Sequence, residues 1–136
     1  MLLIDTNALL WLGSGSENLG AGARAALQAA VERGEAKFSA ISVWETALLI
    51  RKGRYELLQT VDAWRQELFD LGLKEVALDG AVAALSVSLP DLHDDPADRF
   101  IAATSVRLGA QLVTSDKRLI AWSKAHGPTR AMDARA

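Results

Sequence analysis

Cysteine is absent from this 136-residue sequence, and histidine occurs only as His93 and His126. The absence of cysteine excludes a disulfide framework, thiolate catalysis and the usual structural zinc sites, and it is compatible with a reducing compartment. Two histidines are too few to build a zinc site from histidine alone. They also give no basis for a histidine general base, and we interpret both as structural residues.

The sequence also has no long hydrophobic run and no strong excess of one charge. Its apolar opening, MLLIDTNALLWLG, contains Asp5, lacks a basic segment and is too short to span a membrane, so we expect a cytoplasmic protein with no membrane partner. Fifteen basic and seventeen acidic residues give a net charge of −2. Binding of nucleic acid would therefore require a local basic patch or bound cations.

Half of the residues are hydrophobic and a quarter are charged, which is typical of a globular protein, and the length predicts one domain spanning residues 1–136. Apolar runs predict strands at 2–5, 37–41, 73–78 and 111–114, with a weak edge strand at 129–134. A helical turn is predicted in NALLWL, a connecting loop at 13–22, and helices at 23–35, 42–53, 61–72, 79–89, 95–109 and 116–127. This alternation predicts an α/β fold with three α/β/α layers and a central parallel sheet of four to five strands.

Two acidic residues follow the first two predicted strands, and each has a purely structural interpretation. Asp5 ends LLID, where ligands of open α/β sheets bind, but it is equally suited to be the N-cap of the next helix. Glu45 lies in SVWE, which matches a capping box in which Ser42 and Glu45 exchange hydrogen bonds with the backbone. Neither residue indicates chemistry by itself.

The segment LHDDPADRF carries three further aspartates. We interpret Asp95 as an N-cap, Pro96 as the first helical residue, Asp98 as a first-turn acid favoured by the helix dipole, and Asp94 as surface. In TSDK, Asp116 follows the last buried strand and is placed to cap the final helix. Helix capping alone therefore accounts for each of these residues.

The combination is more informative, because Asp5, Glu45, Asp98 and Asp116 all lie at predicted strand-to-helix junctions or in first helical turns. In a parallel sheet these junctions share one rim. Two carboxylates about 4 Å apart repel by roughly 4 kcal/mol at an effective dielectric constant near 20, so converging acids need cations or raised pKa values. Oxygen ligands without cysteine or histidine favour Mg²⁺ or Mn²⁺ over zinc.

Several other residues have two open interpretations. Thr6 and Asn7 are suited either to steady Asp5 or to form a turn. Lys117 and Arg118 are candidates for phosphate contact, or form a solvated helix end. For Arg99 an ion pair with a neighbouring acid is favoured over phosphate contact. The four tryptophans are expected in the core or at interfaces rather than as base-stacking platforms.

Over about residues 1–125 the sequence resembles the PIN-domain ribonucleases, and among them the VapC-type toxins of bacterial toxin–antitoxin pairs. LLIDTNALLW resembles the opening motif of the family and implies that Asp5 is a metal ligand. SVWETALL, DPADRFIAAT and LVTSDKRL resemble the three later motifs and imply the same role for Glu45, Asp98 and Asp116. Asp94 stands where relatives often have a small residue.

The resemblance also implies accessory roles for Asp95 and Thr114, the latter as an orienting hydroxyl. It implies a metal-dependent endoribonuclease that uses Mg²⁺ or Mn²⁺, with water attacking an RNA phosphodiester in line, and a homodimer neutralised by a cognate antitoxin. Two alternatives remain open. A phosphoacceptor signalling domain would need a lysine after the last core strand, where Lys117 occurs, and a catalytically silent, partner-binding PIN fold would not need all four acids.

Overall fold

A computed structural model describes all residues, 1–136. Its five strands are β1 (Leu2–Ile4), β2 (Ala36–Ser39), β3 (Lys74–Val76), β4 (Gln111–Thr114) and β5 (Met132–Asp133). Its seven helices are α1 (Thr6–Ser14), α2 (Ala21–Glu32), α3 (Ala40–Arg51), α4 (Val61–Asp70), α5 (Gly80–Ser88), α6 (Pro96–Leu108) and α7 (Lys117–His126). No helix is both long and apolar enough to traverse a lipid bilayer.

The strands form one sheet in the order β3-β2-β1-β4-β5, and every neighbouring pair is parallel. The first strand is central, with Ile4 paired to Phe38 of β2 on one side and to Val113 of β4 on the other. The chain leaves β1 first towards β2 and later returns to β4 on its other side. Such a reversal opens a crevice at the carboxyl ends of the central strands.

Two hydrophobic cores fill the spaces between the sheet and the helices on its two faces. Leu2 and Ile4 point into a core with residues of α1, α2 and α4, whereas the intervening Leu3 points into a core with residues of α5, α6 and α7. All three strand residues are buried, as expected for a central parallel strand covered on both sides. The predicted three-layer α/β/α fold with a parallel sheet is confirmed.

Most helix boundaries lie within one or two residues of their predicted positions, because the sequence carries local capping residues. Asp95 caps α6 and Pro96 begins it, Gly109 ends it in the left-handed conformation with φ 64°, and Asp116 caps α7. The first helix is longer than predicted. It ends at Ser14 before Gly15 (φ 68°), so the connecting loop begins two residues later than expected.

The capping box predicted for Ser42 and Glu45 is wrong. Strand β2 leads directly into α3, and Ser39 is the N-cap, its Oγ accepting a 3.1 Å hydrogen bond from the Ile41 N–H. Ser42 is therefore already inside the helix, where it is fully buried beside Thr6 of α1. Glu45 lies one turn later, and its carboxylate is free for contacts outside its own helix.

The ion pair predicted for Arg99 is also wrong. Its guanidinium donates to five backbone carbonyls: Ser86 (2.6 Å), Val87 (3.2 Å), Leu89 (2.9 Å), Leu92 (2.7 Å) and His93 (3.2 Å). The last carbonyls of a helix lack partners within that helix. Arg99 donates hydrogen bonds to these carbonyls at the end of α5 and in the loop that follows, and so fixes this loop against α6.

Candidate functional site

The acidic residues meet in a small cleft at the carboxyl edge of the sheet. The cleft has a volume of about 150 Å³ and no hydrophobic residue in its wall. We call it the acidic cleft; its lining residues are Asp5, Thr6, Asn7, Glu45, Asp95, Asp98, Asp116 and Arg118. The predicted convergence of the four acids is confirmed, because the carboxyl ends of β1, β2 and β4 all face this edge.

Asp5 lies at the floor of the cleft, where β1 ends and α1 begins. Only 6% of its surface is exposed. One carboxylate oxygen accepts a 2.8 Å hydrogen bond from the Thr6 N–H, and the other accepts a 2.7 Å bond from the Thr114 hydroxyl at the end of β4. The aspartate is therefore both the helix N-cap and a side chain oriented by the neighbouring strand, and the two interpretations of Asp5 are compatible.

Glu45 reaches the cleft from α3 and is held by Thr6. The Thr6 hydroxyl donates to the Glu45 carboxylate and lies 2.9 Å from the buried Ser42 hydroxyl. This contact joins the first turn of α1 to α3, thirty-nine positions away in sequence. Thr6 thus orients an acid of the cleft, as one of its two interpretations predicted, although the acid is Glu45 as well as Asp5.

Asp98 and Asp95 enter from the first turn of α6. Asp95 accepts a 3.3 Å hydrogen bond from the Asp98 N–H, which fixes the helix start, while the Asp98 side chain is left to face the cleft with 8% of its surface exposed. Asp94, the residue before this cap, is exposed and does not line the cleft. Asp94 and Asp95 are adjacent in sequence, but only Asp95 lines the cleft.

Asp116 and Arg118 form the outer wall at the start of α7. Asp116 accepts a 2.7 Å hydrogen bond from the Arg118 N–H. The Arg118 guanidinium lies 3.4 Å from Asp116 Oδ2 and 3.8 Å from Asp98 Oδ2. Of the two candidates for phosphate contact, Arg118 lines the cleft, whereas Lys117 is exposed and does not.

The clustered charges alter the acidity of the cleft. Burial raises the pKa of Asp98 to about 8, with further contributions from the charges of Asp5, Asp95, Asp116 and Glu45. Burial also raises the pKa values of Asp5 and Glu45. The hydrogen bond from Thr114 to Asp5 and that from Thr6 to Glu45 lower these pKa values, but burial outweighs them. Asp116 differs: burial raises its pKa, but the hydrogen bonds and charge of Arg118 outweigh this and lower it.

These properties fit a divalent cation. The cleft offers carboxylate oxygens from four separate elements, and Arg118 is the one cationic side chain in its wall. Carboxylates whose charged forms are disfavoured by burial and mutual repulsion are stabilised by a bound cation. Oxygen ligands with no thiolate suit Mg²⁺ or Mn²⁺.

His93, which we interpreted as structural, lies at the edge of the cleft. Its Nε2 is 3.1 Å from Asp98 Oδ2, and suitable ligand atoms of His93, Asp98 and Asp116 lie within 4.8 Å of one another. His93 precedes Asp98 by five residues and lies before Asp95, the N-cap of α6. Neither a helix nor a strand spacing would place the two side chains together. Only the folded loop brings them together.

Beside the acidic cleft lies a second, partly apolar cavity of about 380 Å³. Arg118 lines both hollows, and the wall of the second also contains His93, Trp122 and His126. His126 is paired with Asp91, with 2.9 Å between Nε2 and Oδ2, so its structural interpretation stands.

The tryptophans divide between the interior and the surface. Trp64 and Trp122 are buried in the two cores, one on each face of the sheet. The Trp11 ring packs under the Arg135 guanidinium at 5.3 Å from the ring centroid. Trp44, in contrast, has 53% of its surface exposed on α3.

Comparison with known proteins identifies the family to which this chain belongs. The family model described as PIN domain matches residues 2–124, and the chain belongs to the PIN domain family. The chain is 36% identical over 119 residues to Ribonuclease VapC22 of Mycobacterium tuberculosis (strain ATCC 25618 / H37Rv), and the alignment covers 87% of this chain and 88% of that protein. The fold is similar to the crystal structure of FitAcB from Neisseria gonorrhoeae, with a TM-score of 0.65, 20% identity and 98% coverage of each chain.

Proposed function

We propose that this PIN domain, formed by residues 1–136, is an Mg²⁺- or Mn²⁺-dependent endoribonuclease that acts as the toxin of a toxin–antitoxin pair in the cytoplasm. The observation that carries this proposal is the convergence of Asp5, Glu45, Asp98 and Asp116 in one cleft without hydrophobic lining. The 36% identity to a protein named as a ribonuclease, over most of both chains, supports RNA as the substrate.

Within this proposal the four acids are the metal ligands. A divalent cation bound there supplies positive charge for the phosphate and lowers the pKa of water, which are its usual contributions to phosphodiester hydrolysis. Thr114 and Thr6 hold Asp5 and Glu45 in fixed orientations through their hydroxyls. Fixed ligands reduce the reorganisation needed when substrate binds.

Arg118 is proposed to contact the RNA phosphate. In the absence of substrate its guanidinium lies near Asp98 and Asp116, and its side chain is 62% exposed. An exposed ion pair is weak, so a phosphate group can compete for the guanidinium at low cost. Lys117 lies outside the cleft and is proposed to add only a longer-range attraction.

A phosphoacceptor signalling domain is less well supported. Such a site would use a lysine after the last core strand, yet Lys117 is exposed and does not line the acidic cleft. A catalytically silent PIN fold would have no need to keep four acids together at the cost of their mutual repulsion. Both features favour hydrolysis.

We also propose a homodimer and a cognate antitoxin as partners. Trp44 of α3 and Val87 of α5 are large hydrophobic side chains with 53% and 81% of their surfaces exposed, and both of their helices pack against α6. Exposed large apolar side chains are favoured at protein interfaces. Trp44→Ala is therefore expected to weaken self-association, which sedimentation of the purified protein measures.

The activity is tested with purified protein and an end-labelled RNA. Cleavage is expected with Mg²⁺ or Mn²⁺, to stop in excess chelator, and to return when either metal is restored. Ca²⁺ is expected to support little cleavage because its longer, looser coordination positions groups less well. Cleavage at internal positions, rather than loss of single nucleotides from the ends, identifies an endonuclease.

The matched control is Asp5→Asn, purified in the same way. Its loss of cleavage excludes a contaminating nuclease, because a contaminant would not depend on this residue. Cleavage by the unaltered protein that continues undiminished in excess chelator would contradict the metal mechanism.

A further inference from the structure

His93 lies against the acids of the cleft, and its imidazole is not explained by hydrogen bonding. Nε2 is 3.1 Å from Asp98 Oδ2, but without the alignment of a hydrogen bond, and Nδ1 also has no partner. Both ring nitrogens are shielded from solvent. Buried polar atoms in folded proteins nearly always have a partner, and an unpaired one calls for a specific explanation such as an ion.

The backbone that carries His93 is fixed by hydrogen bonds. Arg99 donates to the carbonyls of Leu92 and His93, at 2.7 Å and 3.2 Å, from the same helix that carries Asp98. The backbone of His93 and the side chain of Asp98 therefore both depend on α6 for their position. These bonds fix the backbone of His93 next to α6, the helix that carries Asp98.

The spacing of the donor atoms suits a shared cation. Suitable ligand atoms of His93, Asp98 and Asp116 lie within 4.8 Å of one another. Metal–ligand distances of about 2.0 to 2.2 Å put two ligands on opposite sides of one ion about 4 to 4.4 Å apart. Small side-chain rotations are enough to bring the ligand atoms from within 4.8 Å of one another to this spacing.

We infer that His93 is a nitrogen ligand of the divalent metal, bound together with Asp98 and Asp116, and that it shifts the preference of the site from Mg²⁺ towards Mn²⁺. This inference rests on the proposed metal-dependent function and adds a ligand to it. Imidazole suits transition-series cations, whereas Mg²⁺ is bound almost entirely through oxygen. Mn²⁺ also accepts carboxylate oxygen, which the rest of the cleft supplies.

The decisive measurement is electron spin-echo spectroscopy of Mn²⁺ bound to the full chain, because it detects a coordinated nitrogen without requiring activity. The unaltered protein is expected to show nitrogen coupling, and labelling its histidines with ¹⁵N is expected to change the coupling. His93→Gln is expected to remove it. His126→Gln is the matched control and is expected to retain it, because His126 is paired with Asp91 outside the acidic cleft.

Calorimetric titration of the same proteins gives a second readout. His93→Gln is expected to weaken Mn²⁺ binding by about tenfold or more and Mg²⁺ binding much less, so that the ratio of the two affinities falls. Bound Mn²⁺ without nitrogen coupling in the unaltered protein, or coupling that survives in His93→Gln, would overturn the role of His93 alone and leave the acid ligands standing. Failure of the unaltered protein to bind Mn²⁺ or Mg²⁺ would overturn both this inference and the proposed metal dependence.

Discussion

The Thr114 hydroxyl donates a 2.7 Å hydrogen bond to Asp5 Oδ2, joining residues that are 109 positions apart in sequence. Both atoms are buried; Thr114 ends β4, and Asp5 directly follows the adjacent parallel strand β1. Thr114 Oγ1 also accepts a 3.0 Å bond from the Asp116 N–H. One hydroxyl therefore aligns two acids of the cleft and links β1 to the start of α7.

Thr114→Val is expected to reduce RNA cleavage by roughly 10- to 100-fold, since groups that orient metal ligands typically contribute that much. It should also lower the free energy of unfolding by about 1 to 3 kcal/mol, because a buried acceptor loses its donor. Thr114→Ser keeps the hydroxyl and should retain most activity. Equal cleavage by the valine and serine variants would show that the hydroxyl has no orienting role.

Asp98→Asn is expected to lower RNA cleavage by at least about 100-fold, more than the loss of an orienting group, while leaving the melting temperature unchanged or raised. The amide cannot ionise, and burial and four neighbouring acids disfavour the charged form of Asp98. Asp94→Asn is the matched control, because Asp94 is exposed and outside the cleft. Comparable activity of the two variants would mean that Asp98 is not a ligand.

The stability of the metal-free protein should fall as pH rises from about 4 to about 8. Asp98 has a pKa of about 8 in the folded chain against its ordinary value of 3.8, so between these values the folded state binds more protons than the unfolded state. The stability that Asp98 contributes is fully present below pH 3.8 and is lost as the pH rises through about 8. The raised pKa values of Asp5 and Glu45 act in the same direction, whereas the lowered pKa of Asp116 changes stability with pH only below its ordinary value of 3.8, outside this range.

Melting curves in chelator across this pH range measure the effect. Asp98→Asn should flatten the dependence on pH. Added Mn²⁺ should raise the melting temperature most at the alkaline end, where the carboxylates are deprotonated and available as ligands. Stability that rises steadily with pH in the metal-free protein would be incompatible with this account of Asp98.

Arg118→Ala is expected to weaken RNA binding more than Lys117→Ala. Arg118 lines the cleft beside two acids, whereas Lys117 is outside it. Arg118→Ala should reduce the slope of log affinity against log salt by about 0.7 to 0.9 if one phosphate contact is lost, and Lys117→Ala should reduce it less. Metal affinity should not decrease in Arg118→Ala, because the substitution removes a competing positive charge. An equal effect of both variants on RNA affinity would argue for general attraction instead of a specific contact.

Arg99→Lys should destabilise the fold by at least about 2 kcal/mol, because one ammonium group cannot reach the five carbonyls that the guanidinium bonds. Denaturant unfolding measures the loss. Arg107→Lys, on the exposed last turn of the same helix, is the control and should change stability by less than about 0.5 kcal/mol. If Arg99→Lys leaves the free energy of unfolding unchanged, water must hydrogen-bond the carbonyls in place of the guanidinium.

Much of the fold was predictable because its information is local. The buried strand at 111–114 was predicted to the residue, and Asp95, Pro96, Gly109 and Asp116 marked helix ends through backbone preferences that act within a few positions. Placing the acids at strand ends predicted their convergence, since parallel strands share one carboxyl edge. The metal and RNA roles of these residues stay predictions.

Two contacts predicted from local patterns, the Ser42–Glu45 capping box and the Arg99 ion pair, do not form. Ser42 and Glu45 satisfied a local capping pattern, but strand β2 ends at Ser39, two residues before its predicted end, and Ser39 takes the cap. Arg99 had acids nearby in sequence, yet the carbonyls left open at the end of α5 are closer in space. A local pattern cannot show which unsatisfied group another element brings within reach.

The sequence by itself determined the order of strands and helices along the chain, the continuous apolar runs that bury the sheet on both faces, and which carboxylates follow its strands. Tertiary structure alone decided the contacts between them: Thr6 with Glu45, Thr114 with Asp5, and His93 with Asp98. The physical reason is the range of the forces. Helix propensity and capping act over one turn of chain, whereas the orientation of a buried side chain is set by whichever donor the packing of two separate elements places beside it.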